Sequence, residues 1–267
     1  MENLTNKTRK IISAVLFVIT LVLNVLGATG VINGLTQKEV SDMNPTLITP
    51  SGPTFSIWSV LYTLLIISII ALFVKRGDPY YEAVTEKGSL FFWLSCLFNS
   101  AWIVTFSFEL IGISTIFIIL LMLSLMLLLR EISRQQRDKQ WLLPLTFGLY
   151  AGWIFIATVV NIAAWLVSIG WNAFGISHDI WAVVISIVAA GLAFAVTFDH
   201  RNAAFPLPIA WAFLGIRNEL AGSGHKAVQV VAIIMMIVLI IRAVIAFSRN
   251  GARLAPASEE AAVADGR

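Results

Sequence analysis

Three rows of aromatic and amide side chains are the residues in this sequence whose types and spacing suggest a site. Phe55, Trp58 and Tyr62 fall at i, i+3 and i+7, which places them on one face of a helix. Asn99, Trp102 and Phe106 repeat that spacing. Tyr150, Trp153, Ala157 and Asn161 carry it through three turns. Broad π-faces with a few amides among them suit a large, flat, mostly apolar ligand: the rings supply contact area and the asparagines orient it. The same rows have a plainer reading. Aromatic stripes in apolar helices more often pack against neighbouring helices, and an asparagine at a helix interface commonly serves as a hydrogen-bonding clamp. Spacing alone leaves both readings open.

Catalytic chemistry finds little support. Every acidic residue falls in a loop, in the tail or at a predicted helix end, so no carboxylate is expected near the bilayer midplane, where ion-coupled transporters place them. His178, His200 and His225 lie in three different connections, and no metal site is expected from them. There is no Walker motif, glycine-rich phosphate loop or nucleophile elbow. The reading is therefore of a protein that is not an enzyme, with no catalytic and no metal-binding residues. A net charge of +3 gives no nucleic-acid footprint, and the single Cys96 excludes an intramolecular disulfide.

The elements that must position these rows are membrane helices. Of 267 residues 58% are apolar and only 12% charged, against about 25% charged in a soluble domain. Eight apolar stretches stand out, at approximately 11–34, 54–74, 89–110, 111–130, 141–169, 180–198, 203–219 and 227–248. Most are long enough to span a hydrocarbon core of roughly 30 Å. The seventh is short and holds Pro206 and Pro208. Gly112, Ser114 and Thr115 are expected to turn the chain between the third and fourth. The fold class is thus an all-α integral membrane protein with about eight transmembrane helices and the lipid bilayer as its first partner.

Lysine and arginine placement sets the orientation. With the N-terminus in the cytoplasm, Lys7, Arg9, Lys10, Lys75, Arg76, Lys87, Arg130, Arg134, Arg137, Lys139, Arg201, Arg249, Arg253 and Arg267 are all cytoplasmic. Only Lys38, Arg217 and Lys226 fall outside, and Arg242 lies within the inner half of the last helix. The expected location is the cell membrane, multi-pass, with both termini cytoplasmic. The first apolar run is longer than the h-region of a signal peptide and reads as a retained helix. Trp58, Trp93, Trp141, Trp165, Trp171 and Trp181 lie toward helix ends, as an interfacial belt requires, whereas Trp102, Trp153 and Trp211 lie near helix middles. Gly30 and Gly34 form a GxxxG pair that would permit close helix contact. Residues 251–267, rich in alanine and acid, read as a disordered tail.

The rows also carry a family resemblance. Pro53-Thr54-Phe55-Ser56-Ile57-Trp58-Ser59-Val60-Leu61-Tyr62 resembles the TspO/MBR family of tryptophan-rich sensory or translocator proteins, whose second helix opens with proline and phenylalanine and runs on as W-x-x-L-Y. Asn99-x-x-Trp102-x-x-x-Phe106 is similar to its third helix, and Tyr150-x-x-Trp153-x-x-x-Ala157-x-x-x-Asn161 to its fifth. Three departures are plain: Phe55 precedes Trp58 by three residues where the family usually has four, the family's extra tryptophan before that phenylalanine is missing, and Ile156 stands where the family has phenylalanine.

The resemblance covers roughly residues 10–170. It implies a TspO-like five-helix membrane domain over 1–170, followed by a three-helix extension over 171–250 and the tail over 251–267. It implies a membrane receptor or sensor that binds a tetrapyrrole- or sterol-like molecule from the side of the first loop. On that reading Phe55, Trp58, Tyr62, Asn99, Trp102, Phe106, Tyr150, Trp153, Ala157 and Asn161 are the ligand-binding residues. No cofactor is required, a porphyrin or haem is the ligand to expect, and a homodimer is the expected assembly. Tetrapyrrole breakdown as a side activity belongs to the same resemblance. The alternative is a small-molecule permease or the membrane subunit of an exporter, framed by all eight helices.

Overall fold

The computed structural model describes residues 4–136 and 140–257, and every regular element among them is helical. In chain order these are α1 (Asn6–Ala28), α2 (Gln37–Asp42), a 3-10 turn (Gly52–Ser56), α3 (Ile57–Val74), α4 (Pro79–Ser107), α5 (Ile111–Arg134), α6 (Leu142–Ser168), a short 3-10 turn (Ala173–Gly175), α7 (His178–His200), α8 (Pro206–Glu219) and α9 (Lys226–Arg249). Seven are long and apolar enough to cross a membrane: α1, α3 with its leading turn, α4, α5, α6, α7 and α9. The chain is an integral membrane protein that crosses the bilayer many times.

The helices run past their apolar stretches because polar ends can be satisfied locally. Thr5 caps α1 by accepting from Thr8 N, and Asp78 caps α4 by accepting from Tyr80 N, with Pro79 at the first helical position. Lys10 of α1 pairs with Glu82 of α4 at 2.6 Å, which fixes the starts of both helices on one face of the bundle. Ser68 near the end of α3 bonds to Thr146 near the start of α6 at 2.9 Å on that same side. This basic face gathers the cations that the sequence places together. Lys38 of α2, Arg217 in the last turn of α8 and Lys226 at the start of α9 lie toward the far face.

Helix α8, seventh in order of the eight apolar stretches, completes the set although it is too short to span alone. Its 14 residues reach about 21 Å at 1.5 Å per residue. Helices α7 and α9 run parallel: Asp179 meets His225 at their starts, and Asn250 donates to Arg201 O at their ends. The chain between them must therefore travel back across. It does so inside protein rather than lipid, with Pro206, Ile209, Ala212, Phe213 and Ile216 buried. Its exposed backbone ends are satisfied by protein as well. Asn202 Oδ1 accepts from Ala204 N and Phe205 N, while its Nδ2 donates to Pro144 O. Irregular backbone at this depth is tolerable only when enclosed in this way.

Three sequence expectations are corrected here. Gly30 and Gly34 are not a helix-packing pair: α1 ends at Ala28, and both glycines have positive φ, 75° and 77°, in the turn that follows. The close contact belongs to Gly148 and Gly152 of α6, where an added Cβ would lie 2.3 Å from Asn202 Oδ1 and 2.0 Å from Phe205 O. The break between α4 and α5 falls at residues 108–110, with Glu109 in the left-handed region at φ 60°, while Gly112, Ser114 and Thr115 are already helical. The tail is not free from its start. Leu254 O accepts from Ala203 N at 2.8 Å and Ala255 is fully buried. Residues 258–267, with Arg137, Lys139 and Arg267 of the charge tally, lie outside the described residues.

Two measurements check this architecture. Reporter fusions after Gln136 and after Pro256 should read on the same side of the membrane, and a fusion at Gly222 on the opposite side. A shared side for Gly222 and Gln136 would mean that α8 turns back without crossing. Truncation after Pro256 should leave expression intact, whereas truncation after Arg253 removes the Leu254 hydrogen bond and the buried Ala255. The second should lower the melting temperature, at a cost of about 1 kcal/mol.

Candidate ligand site

Helix α6 is the most enclosed of the spans, and it carries Tyr150, Trp153, Ala157 and Asn161 along its length. Gly148 and Gly152 let α8 approach it at backbone distance. Helix α8 in turn grips the 3-10 turn that leads into α3. Ser51 N donates to Gly215 O at 3.2 Å, and Trp211 Nε1 donates to Thr54 O at 2.9 Å. A Cβ on Gly215 would lie 2.2 Å from Thr54 Oγ1, so only glycine lets the turn sit there. Phe55 therefore lies in a clamped turn rather than in the helix proper, with Trp58 and Tyr62 on the first turns of α3.

The three sequence rows converge on one another. Trp58 is the hub: it stacks on Tyr62 at 5.3 Å and on Trp102 at 6.4 Å, and meets Trp153 edge-on at 6.1 Å and Tyr150 at 6.4 Å. Phe55 also meets Trp153 edge-on at 6.0 Å, and Trp102 continues to Phe106 at 5.8 Å. Phe55, Trp58, Trp102, Phe106, Trp153, Ala157 and Asn161 line a cavity of about 60 Å³ in the half of the bundle nearer the far face. Phe55 and Trp58 also wall a groove of about 390 Å³ between α1, α2 and α3, which Tyr62 lines. These two rings are the partition between the spaces. Asn99 and Tyr150 line neither.

The amides have definite partners. Asn161 Oδ1 accepts from Trp102 Nε1 at 3.1 Å, and its Nδ2 donates to Thr115 Oγ1 at 2.7 Å and to Ser114 Oγ at 3.3 Å. Asn161 thus clamps α4, α5 and α6 together at the edge of the cavity. Asn99 Nδ2 donates to the Tyr150 hydroxyl at 2.9 Å, and Asn99 Oδ1 accepts from Asn24 Nδ2. That chain joins α1, α4 and α6 beneath the rings. The plainer reading of the asparagines as helix clamps describes both of them. Two polar groups among the aromatics are different. The indole N–H of Trp153 and the hydroxyl of Tyr62 are enclosed and have no partner. Trp153 is 2% exposed.

The first loop covers the cavity. Helix α2 is fixed by a capping box in which Glu39 N donates to Thr36 Oγ1 and Thr36 N donates to the Glu39 carboxylate. Hydrogen bonds from the Thr36 backbone and side chain hold the Glu39 carboxyl below its ordinary value. Val40 is fully buried against Phe106, Ile111 and Ala164, and Gln37 and Ser41 line the cavity.

The family model for TSPO-like proteins matches residues 10–245. The chain belongs to the TSPO-like family. The match runs through α7, α8 and most of α9 as well as the first five spans. Membership places the chain among membrane proteins of the sensor or receptor kind. No curated protein and no solved structure matches it.

Sequence reasoning missed several residues that shape this TSPO-like site. Asn24 was hidden because one asparagine in an apolar helix has no spacing partner. Trp211 stood out as a mid-helix indole, yet nothing in the sequence says that it reaches Thr54. The fixed distance between Gly148 and Gly152 was readable as a GxxxG pair. A larger cleft of about 490 Å³ lies between residues 45–48, the end of α6 and the start of α7, with Trp171, Trp181, His178 and His225 on its walls. Its polar groups are largely paired: His225 Nδ1 lies 2.9 Å from Asp179, and Trp181 Nε1 donates to Ala173 O.

The two kinds of buried group should answer differently to substitution. Asn161→Ala removes three hydrogen bonds and leaves the Trp102 N–H unpaired, so it should cost about 2 kcal/mol in detergent unfolding. Trp153→Phe removes an N–H that has no partner and keeps most of the ring, so it should cost less than about 1 kcal/mol. Equal losses would mean that the Trp153 N–H is bonded in the folded protein.

Proposed function

We propose that this protein is a membrane receptor or sensor that takes a large, flat, mostly apolar molecule, tetrapyrrole- or sterol-like, into its aromatic cavity. The observation that carries this reading is the pair of unpartnered polar atoms among the rings. An enclosed N–H or O–H without an acceptor is costly in a medium with no water. A ligand with one or two polar atoms on an apolar frame would satisfy Trp153 and Tyr62 while stacking on Trp58 and Trp102. The 60 Å³ of the cavity admits only a few waters. Ligand entry requires Phe55 and Trp58 to swing aside, joining the cavity to the groove and giving a space of ligand size.

A receptor fits these features better than a permease. Toward the basic face the aromatic cavity is bounded by the Asn24–Asn99–Tyr150 chain, and the space beyond it, lined by Phe92 and Phe147, is only about 30 Å³. The distribution of lysine and arginine supports a cell-membrane orientation in which the basic face, with both termini, is cytoplasmic. The ligand would then arrive from outside or from the outer leaflet, on the side of the first loop.

Protoporphyrin is the first probe. Wild-type protein in detergent should quench its fluorescence saturably. Trp153→Phe should weaken that binding about tenfold, the worth of one buried hydrogen bond with some ring contact, at nearly unchanged melting temperature. Tyr62→Phe combined with it should be non-additive, as expected of two residues sharing a ligand. Wild-type affinity in Trp153→Phe would return these rings to helix packing alone.

A further inference from the structure

A second site lies at the opposite end of the molecule, on the seam between α7 and α9 near the basic face. We propose that this seam binds the phosphate of an anionic phospholipid. The central group is Arg242 of α9. It is 4% exposed, and its guanidinium carbon lies 5.1 Å from the ring centre of Phe194 and 5.9 Å from that of Phe198, both on α7. Aromatic faces attract a cation but accept its N–H groups poorly. Nε of Arg242 is enclosed without an acceptor, and no carboxylate pairs with the guanidinium among the described residues. A guanidinium presents five donors in a fork that matches a phosphate, and here the fork has no partner.

The surroundings add charge of the same sign. Arg249 follows Arg242 by seven residues, two turns along the same face of α9. Arg201, at the end of α7, donates to Arg249 O at 3.5 Å. Both arginines lie close enough to Arg242 to repel it. Among the described residues, the acid beside this cluster is Asp199, whose side chain is 84% exposed and stands 3.7 Å from His200. Three arginines that converge with no described acid between them form a site for an anion.

The walls of the seam decide which anion. Phe198 is 65% exposed and Phe194 44%, so both rings that meet the guanidinium also reach the lipid-facing surface, and the part-exposed Val238 and Ile245 lie one turn to either side of Arg242 on its face of α9. Arg242 lies about 10 Å along the helix from Arg249, so a ligand reaching it from the membrane surface must enter beside acyl chains. A headgroup phosphate arrives with such chains attached, and a free inorganic phosphate does not. Basic pockets between helices at a cytoplasmic membrane surface suit anionic headgroups on these grounds.

The test is thermal unfolding of the purified full chain in detergent with added lipid. Phosphatidylglycerol should raise the melting temperature of the wild type, while phosphatidylcholine of the same chain length and inorganic phosphate at equal concentration should not. Native mass spectrometry should show phosphatidylglycerol retained. Arg242→Met, which keeps the apolar stem and removes the fork, should abolish the phosphatidylglycerol-specific rise and the retained lipid, and Arg242→Lys should keep part of both. Arg249→Gln is exposed and independent of core packing, and should weaken the lipid response about fivefold, the contribution of one basic residue at an anionic surface. Equal stabilisation by both lipids, stabilisation by inorganic phosphate alone, or an unchanged response in both Arg242→Met and Arg249→Gln would overturn the proposal.

Discussion

In the hydrocarbon core of a bilayer a polar group has no water to turn to, so each must find its partner within the protein. Many hydroxyls in its spans, such as those of Thr85, Thr105, Thr158 and Thr197, turn back to carbonyls of their own helix, and a smaller set of polar groups ties one helix to another. Asn24, Asn99 and Tyr150 connect α1, α4 and α6, while Trp102, Asn161, Thr115 and Ser114 connect α4, α5 and α6. Ser68 and Thr146 connect α3 to α6. Because apolar packing against lipid and against protein is similar in strength, such bonds and close approach do much to specify which helices meet. Against that background the unpartnered Trp153 N–H and Tyr62 hydroxyl stand out as groups the fold itself leaves unused.

Close backbone approach supplies the rest of the specificity. Gly148 and Gly152 admit the start of α8, and Gly215 admits the turn at Gly52–Ser56. The consequence runs across the molecule: α6 seats α8, α8 holds the turn, and the turn sets Phe55 and the start of α3. Helix α8 contributes no ring to the cavity, yet it fixes the two rings that divide the cavity from the groove. The last three helices thus bear on the site mechanically, in keeping with a family match that extends through them.

Much of this was legible in the sequence, and the limits have physical causes. The helices follow from apolar length, and most of the described lysines and arginines gather toward one face of the bundle. The site rows follow from a period of 3.6 residues, and they do converge in space. What spacing could not give was partnership. Asn99 and Asn161 occupy equivalent-looking positions, yet one sits beneath the rings and the other at the cavity edge. Sequence also misplaced the glycine contact, because Gly30 and Gly34 match the GxxxG pattern while lying past the end of α1. The starts of α1 and α4 lie ahead of their apolar runs, since those runs begin only after the last charge, whereas the helices begin at caps such as Thr5 and Asp78.

The narrowness of the aromatic cavity itself bears on what it can select. Phe55 and Trp58 both rest edge-on against Trp153, and each such contact is worth about 0.5–1.5 kcal/mol beyond burial. Opening the partition forfeits those contacts, so only a ligand that replaces them gains from entering. A small apolar solute cannot span the distance between Trp58, Trp102 and Trp153 and would leave one or more rings unsupported. A rigid ring system restores stacking on several faces at once, at little cost in its own conformational entropy. Its polar atoms then meet the Trp153 N–H and Tyr62 hydroxyl, which smaller guests would leave unpaired. Discrimination would thus come from the cost of parting the two rings as well as from the shape of the space behind them.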